Sequence, residues 1–407
     1  MADLIALPPP GAEPEYDTGV TRIDTYVNSD LARARFQPGA HRAKHNATTQ
    51  AAMIASTHLA TLILICLGAI GGAVATLTPL PLPFMLGSLI MSAAVAIMAA
   101  HRLPAGYLFP QPLRLVFIAA IGVMIGAQVT PDLAALIPSM AISLAALTLF
   151  VGLAHAGNFA IFHHLGGYDR STAFYSGTPG GLMESIAMGE DAGADVAVIG
   201  LQQFLRIILV ITFVPVGLSI WYGAPVGSAS GASLAPAQTG LSELPLVAVA
   251  GGAGLWLGLK FRLPAGQLTG PLFVAAVMSL SGIGAPALPD WLIHAAQIVI
   301  GTSLGLRFTG LARSDMMRAL WLGLMSVTAM LALGTVLALA VHQITETAFD
   351  VALISLAPGG VTEMALVALS LNANPAIVSA NHIYRIILTV IEISILARIR
   401  RYRDNSL

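Results

Sequence analysis

Apolar residues in this chain gather into runs near 20 residues long, separated by short polar or Gly/Pro-containing breaks. The runs lie at about 59–78, 82–100, 113–129, 133–162, 172–189 and 195–221. After an interruption they resume at about 244–259, 265–283, 291–308, 318–342, 349–371 and 375–397. Runs of this length suit membrane-crossing helices, which need roughly 20 residues, whereas a transmembrane strand needs about ten residues of alternating polarity. The interruption, Tyr222 to Gly240, is rich in Gly, Ala, Ser and Pro and reads as a flexible linker. The pattern predicts an all-α polytopic membrane protein. It divides into a polar tail (1–57), a first membrane repeat (58–222), an external linker (223–242), a second membrane repeat (243–397) and a basic tail (398–407).

Residues 1–50 hold the run Pro8-Pro9-Pro10 and no apolar segment, so a disordered cytoplasmic tail is expected there and not a signal peptide. His41 and His45 stand four apart, but no further ligands accompany them, and a metal site is not expected.

Composition agrees with the pattern. Charged residues are 10% of the chain and hydrophobic ones 56%, against roughly 25% charged in an average soluble domain. So few charges cannot cover a water-soluble surface of this size. The single cysteine, Cys66, excludes a disulfide framework. A net charge of −1 offers no electrostatic footprint for nucleic acid, and no such partner is expected. Membrane lipid is the expected surroundings.

The two series of runs repeat each other. Thr178-Pro179-Gly180-Gly181-Leu182-Met183-Glu184 is answered by Ala357-Pro358-Gly359-Gly360-Val361-Thr362-Glu363, an offset of 179 (358 − 179). The same offset carries Gly122 and Gly126 to Gly301 and Gly305, and Arg206-Ile207-Ile208-Leu209 to Arg385-Ile386-Ile387-Leu388. Leu86-Gly87-Ser88-Leu89 resembles Thr269-Gly270-Pro271-Leu272 at an offset of 183 (270 − 87), so a small insertion intervenes.

Basic residues decide between parallel and inverted halves. If all twelve runs cross, Lys260, Arg262, Arg307, Arg313 and Arg318 face outward, against the positive-inside bias. If the fifth and eleventh runs dip in and return as re-entrant hairpins, each half crosses five times and the second half is inverted. Arg102, Arg114, Arg170 and those five then all lie in the cytoplasm with both termini. The expected architecture is two inverted repeats of about five transmembrane helices, each with a broken or re-entrant Pro-Gly-Gly segment, in the bacterial cytoplasmic membrane.

Those segments are the candidate site. Proline removes a backbone donor and glycines weaken a helix, so breaks are expected near Pro179 and Pro358, with a packed kink as the alternative. Broken backbone at membrane depth is tolerated where protein surrounds it or water reaches it, and matched breaks in two repeats point to a binding site. With Gly181 and Gly360 as N-caps, Glu184 and Glu363 fall at the third helical position. There they either cap the helix or act as coupling groups for a proton or sodium ion.

Arg206 and Arg385 lie about 15 Å into their runs, near the middle of a 30 Å core. Either they form ion pairs with the glutamates or they bind a ligand. Gln202, Gln203, Asn381 and His382 surround them. The candidate substrate-binding residues are Thr178, Pro179, Gly180, Gly181, Glu184, Gln203, Arg206, Pro358, Gly359, Gly360, Thr362, Glu363, Asn381, His382 and Arg385. Glu392 has no charged counterpart, since 392 − 179 is Phe213, and is placed near the cytoplasmic interface.

The paired Leu-Gly-like and Pro-Gly-Gly-x-x-Glu…Arg blocks, over about 58–397, resemble the membrane AbrB duplication family. That family is labelled an ammonia monooxygenase or a regulator of one, and is distinct from the small soluble DNA-binding regulator that shares its name. The layout is also similar to inverted-repeat carriers with re-entrant hairpins, including elevator-type ones. A secondary transporter of a small anionic or zwitterionic organic solute, ion-coupled, fits these features best. A membrane sensor or regulator of gene expression is the alternative, although the tails are too short and polar for an output domain. A monooxygenase fits worst, because the ten histidines form no ligand set. No catalytic residue, cofactor or metal is expected; a homo-oligomer is compatible with the sequence.

Overall fold

In a computed structural model of the protein, the described residues are 40–404 apart from 79, 81, 105, 132–136, 224–242, 285, 310–312, 346 and 372. Side chains are described from residue 56 on, apart also from 137–139, 313–315 and 398–404. The chain forms two units, Met1–Ser56 and Thr57–Leu407. Of the first, only the opening turns of helix α1 (Ala40–Ala75) are described. The expectations for residues 1–39, for the His41 and His45 side chains and for most of the linker lie outside the described residues. The helix already runs from Ala40, ahead of the predicted tail boundary.

Among the described residues the longer elements are all helical. The first half continues with α2 (Pro83–Met98), α3 (Gln111–Ala127), α4 (Ile137–Ala160), α5 (Arg170–Ser176), α6 (Leu182–Asp191) and α7 (Val196–Tyr222). The second holds α8 (Leu244–Lys260), α9 (Gly266–Leu280), α10 (Asp290–Gly305), α11 (Arg313–Thr345), α12 (Phe349–Leu356), α13 (Val361–Ser370) and α14 (Pro375–Asp404). Adding 179 to the first residues of α3, α5, α6 and α7 (111, 170, 182, 196) gives the first residues of α10, α12, α13 and α14 (290, 349, 361, 375). The sequence repeat is therefore a repeat of helix boundaries.

Five helices are long and apolar enough to cross a membrane: Ser56–Ala75, Met140–Leu165, Val196–Tyr222, Met316–Thr345 and Pro375–Ala397. The apolar helices α2, α3, α8 and α9 are shorter. At 15–17 residues they reach only about 22–26 Å at a rise of 1.5 Å per residue.

Glycines set how closely the helices approach. Gly122 and Gly126 on α3 lie against the Leu268 and Leu272 carbonyls of α9, where a side chain would have no room. Reciprocally, Gly301 and Gly305 on α10 lie against the Met85 and Leu89 carbonyls of α2. Small residues four apart allow this backbone contact between apolar helices. Gly71 on Gly87, and Gly254 on Gly270, repeat the device within each half. The main apolar core runs from Leu82 to Val378 through both halves and includes Ile121, Phe150, Ile211, Ile300 and Leu366.

Candidate functional site

Each Pro-Gly-Gly run is broken into two short helices, as the proline and glycines predict. In the first, α5 ends at Ser176 and α6 begins at Leu182 after Gly181, whose φ of 63° lies in the left-handed region open to glycine. In the second, α12 ends at Leu356 and α13 begins at Val361 after Gly360, at an ordinary φ of −77°. Neither break is a kink within one continuous helix.

A helix that ends inside an apolar core leaves its last carbonyls without donors, and side chains have to supply them. At the end of α5 nearly every carbonyl is met. His155 lies 2.9 Å from Phe174 O and Asn158 donates to Gly177 O at 3.0 Å, both from α4. From α7, Gln203 Nε2 lies within 3.3 Å of the carbonyls of Tyr175, Ser176 and Thr178, and Arg206 Nη1 donates to Thr178 O at 2.7 Å. The Thr178 hydroxyl bonds to Ser185 Oγ at 2.7 Å, tying α6 to the same turn.

The second break repeats this with fewer groups. His382 Nε2 lies 3.0 Å from Ile354 O, the counterpart of Gln203 on Tyr175 O. Arg385 donates through Nη1 to Ala357 O and through Nη2 to Gly359 O at 2.6 Å. Thr178 is matched by Ala357 and Ser185 by Met364, whose side chain covers Gly359.

These contacts correct the ion-pair reading of the arginines. Among the described residues, Arg206 and Arg385 form no salt bridge with Glu184 or Glu363; their charge is set against the carbonyl ends of α5 and α12, the negative dipole ends. The glutamates instead fold back over their own helix starts. Glu363 Oε2 occupies the space above Gly360, and Glu184 Oε2 lies 3.5 Å from where a Cβ of Gly181 would stand. Both occupy the third helical position, as predicted, where a carboxylate is within reach of a helix start.

The two breaks meet at one guanidinium. A Cβ on Gly180 would stand 3.6 Å from Arg385 Nε and 3.1 Å from Thr389 Oγ1, while the same Arg385 holds Gly359 O. Arg206 Nε and Arg385 Nε are buried and have no hydrogen-bond partner. Thr178, Pro179, Gly180, Gly181, Gln203, Arg206, Pro358, Gly359, His382 and Arg385 are thus brought together. Glu184, Gly360, Thr362 and Glu363 line the starts of α6 and α13. Asn381 faces away: its Oδ1 accepts from Ser143 on α4 at 3.0 Å, as Gln202 faces Ala319 on α11.

His155 and Asn158 are absent from the site drawn from the sequence, and Glu392 is set apart from it near the cytoplasmic interface. Their counterparts at an offset of 179 are Gly334, Leu337 and Phe213, so a search for repeated polar positions discards them. Ionisable residues within predicted spans were the available signal. Glu392 is paired with His155 at 3.1 Å.

Both breaks fall inside a region of known descent. A family model described as "Transition state regulatory protein AbrB" matches residues 93–401. The chain is 28% identical over 218 residues to "Putative regulator AbrB" of Escherichia coli (strain K12), covering 53% of this chain and 62% of that protein. It is 26% identical over 235 residues to "Uncharacterized protein YhjN" of Bacillus subtilis (strain 168), covering 54% of this chain and 61% of that protein. The matches thus span about three-fifths of the length of these curated relatives. With a family match that begins in α2, ends in α14 and includes both broken segments, the chain belongs to the AbrB family.

Proposed function

We propose that this protein is a secondary carrier and not an enzyme. It would move a small anionic or zwitterionic organic solute across the bacterial cytoplasmic membrane, coupled to a proton or sodium ion. In this reading the halves are inverted repeats, the two broken segments are re-entrant hairpins and both termini are cytoplasmic. Reciprocal packing supports a two-fold relation between the halves: α3 meets α9 through the same glycine device by which α10 meets α2. The five-crossing arrangement supports the inversion, because it puts every loop arginine and lysine inside.

The single observation that carries the solute class is the Arg385 guanidinium held between the two Pro-Gly-Gly segments. Its charge, and that of Arg206, is not cancelled by an ion pair. An organic carboxylate suits such a site, and a zwitterion could turn its amine toward the carboxylates of Glu184 and Glu363. The capping position of the glutamates favours a structural role for them over coupling.

A regulator of gene expression is the second reading, favoured by the names of the family and of the Escherichia coli relative. Thermal-shift measurements on the purified protein with acetate, succinate, glutamate and glycine betaine distinguish the two, followed by proteoliposome uptake of any stabilising solute. Stabilisation that Arg385→Gln abolishes, followed by uptake, is the expected result. A solute that stabilises wild type and Arg385→Gln alike, or binds without being moved, sinks the carrier reading.

A further inference from the structure

The His155–Glu392 contact takes no part in the repeated design. His155 is almost wholly buried, with 4% of its side chain exposed, and Glu392 is 19% exposed. They sit on α4 and α14, which pack together. His155 Nε2 lies 2.9 Å from Phe174 O, and a carbonyl only accepts, so Nε2 carries a hydrogen. The other ring nitrogen, Nδ1, lies 3.1 Å from Glu392 Oε1. With Nε2 protonated, a neutral ring presents a lone pair at Nδ1, and an ionised carboxylate presents another at Oε1. The contact therefore needs one more proton, held on Nδ1 as an imidazolium–carboxylate pair or on Oε1 as an imidazole–carboxylic acid pair. Glu392 Oε2 is buried and has no partner.

We propose that His155 and Glu392 form a proton-binding site that latches α5, the first arm of the broken segment, to α4 and α14. The bound proton closes the Nδ1–Oε1 contact, and the ring so held keeps Nε2 on the Phe174 carbonyl. Loss of the proton sets two lone pairs against each other and frees the ring, and with it one of the donors that cap α5. No other charged or neutral-titrating side chain bonds to the pair among the described residues. Those with described side chains on the packed elements are His163 and His164 just after α4, Arg170 and Tyr175 on α5, Glu184, Glu190 and Asp191 on α6, Arg318 and His342 on α11, Asp350 on α12, Glu363 on α13, Arg114 on α3, and His382, Tyr384 and Arg385 on α14. The proton site stands apart from the carrier reading.

The test uses the full chain in lipid nanodiscs with isotope-labelled histidine, the His155 ring signals being assigned by their loss in His155→Asn. Ring nitrogen shifts and amide exchange protection of α5, corrected for intrinsic rates, are followed from pH 5 to pH 9. In wild type, Nε2 stays protonated throughout and α5 protection falls at least tenfold as the pair loses its proton. Glu392→Gln removes the carboxylate that shares the proton with Nδ1. Its amide can donate to Nδ1 without an added proton, so α5 protection becomes independent of pH. α5 protection in Glu392→Gln that still falls with pH as in wild type overturns the proposal. So does wild-type α5 protection that is flat across the range, which would make the pair a static brace. If His155→Asn does not fold, through-space contacts to labelled Phe174, whose ring lies 4.6 Å from that of His155, assign the ring, and the wild-type and Glu392→Gln series decide the matter.

Discussion

The two broken segments have the same backbone plan and different chemistry. At the first, four side chains from α4 and α7 cover the end of α5, and the Thr178–Ser185 hydroxyl pair stitches the turn to α6. At the second, His382 and Arg385 cover the end of α12, and the hydroxyl pair gives way to Ala357 and Met364. Only at the arginine does the same residue type do the same job twice, Arg206 on Thr178 O and Arg385 on Ala357 O. The comparison teaches that the break itself demands donors, while the choice of donor is free. A redundantly capped segment tolerates the loss of one group, and a sparsely capped one does not.

The largest consequence concerns the arginines. Arg385→Leu removes two charged hydrogen bonds from buried carbonyls and is expected to lower stability by about 3–6 kcal/mol, at roughly 1.5–3 kcal/mol per bond. Arg206→Leu removes one, and Gln203 still covers Thr178 O, so about 1.5–3 kcal/mol is expected. Reversible unfolding of both variants in detergent measures the difference. Equal losses would show that the second segment is not the more dependent one.

A smaller effect separates the glycines before the two α-helices. Gly181→Ala forces a Cβ into the left-handed region and costs about 1–2 kcal/mol. Gly360→Ala meets no such barrier at a φ of −77°, and has only to displace the Glu363 carboxylate. A cost of about 0.5–1.5 kcal/mol, the scale of a side chain driven off its rotamer, is expected. In a Glu363→Ala background that cost should vanish, whereas the Gly181→Ala cost should survive Glu184→Ala. The same unfolding assay reads all four.

The smallest effect tests whether one segment can be converted into the other. Thr178→Ala strands the Ser185 hydroxyl and one of the Gln203 contacts, for a loss of about 1 kcal/mol. Adding Ser185→Met copies the pairing of Ala357 with Met364, and replacing both polar partners by apolar ones is expected to recover at least half of that loss. A double-mutant cycle measures the coupling. Additive losses would mean that the two turns differ in backbone as well as in side chains.

Much of this protein is legible from its sequence, for identifiable reasons. Runs near 20 apolar residues announce helices in lipid because hydrocarbon leaves backbone groups no other partner. Pro179-Gly180-Gly181 and Pro358-Gly359-Gly360 announce breaks because proline lacks a donor and glycine lacks a Cβ, which are properties of single residues. The third-position glutamates follow by counting from Gly181 and Gly360. These are local facts, and repetition at an offset of 179 doubles each one.

What faces what is a different kind of fact. Whether Arg385 meets a carboxylate or a carbonyl depends on where α12 ends relative to α14, and the fold turns it to Ala357 O and Gly359 O. That Gly180 of one half lies against Arg385 of the other is fixed by packing between helices some 200 residues apart. His155 and Glu392 stand 237 positions apart, and neither is repeated. Composition and spacing fix which groups must be satisfied, because a buried donor or acceptor is costly wherever it lies. Only the tertiary structure selects the partner, because in a packed interior that choice is made by distance and direction, which the order of residues does not carry.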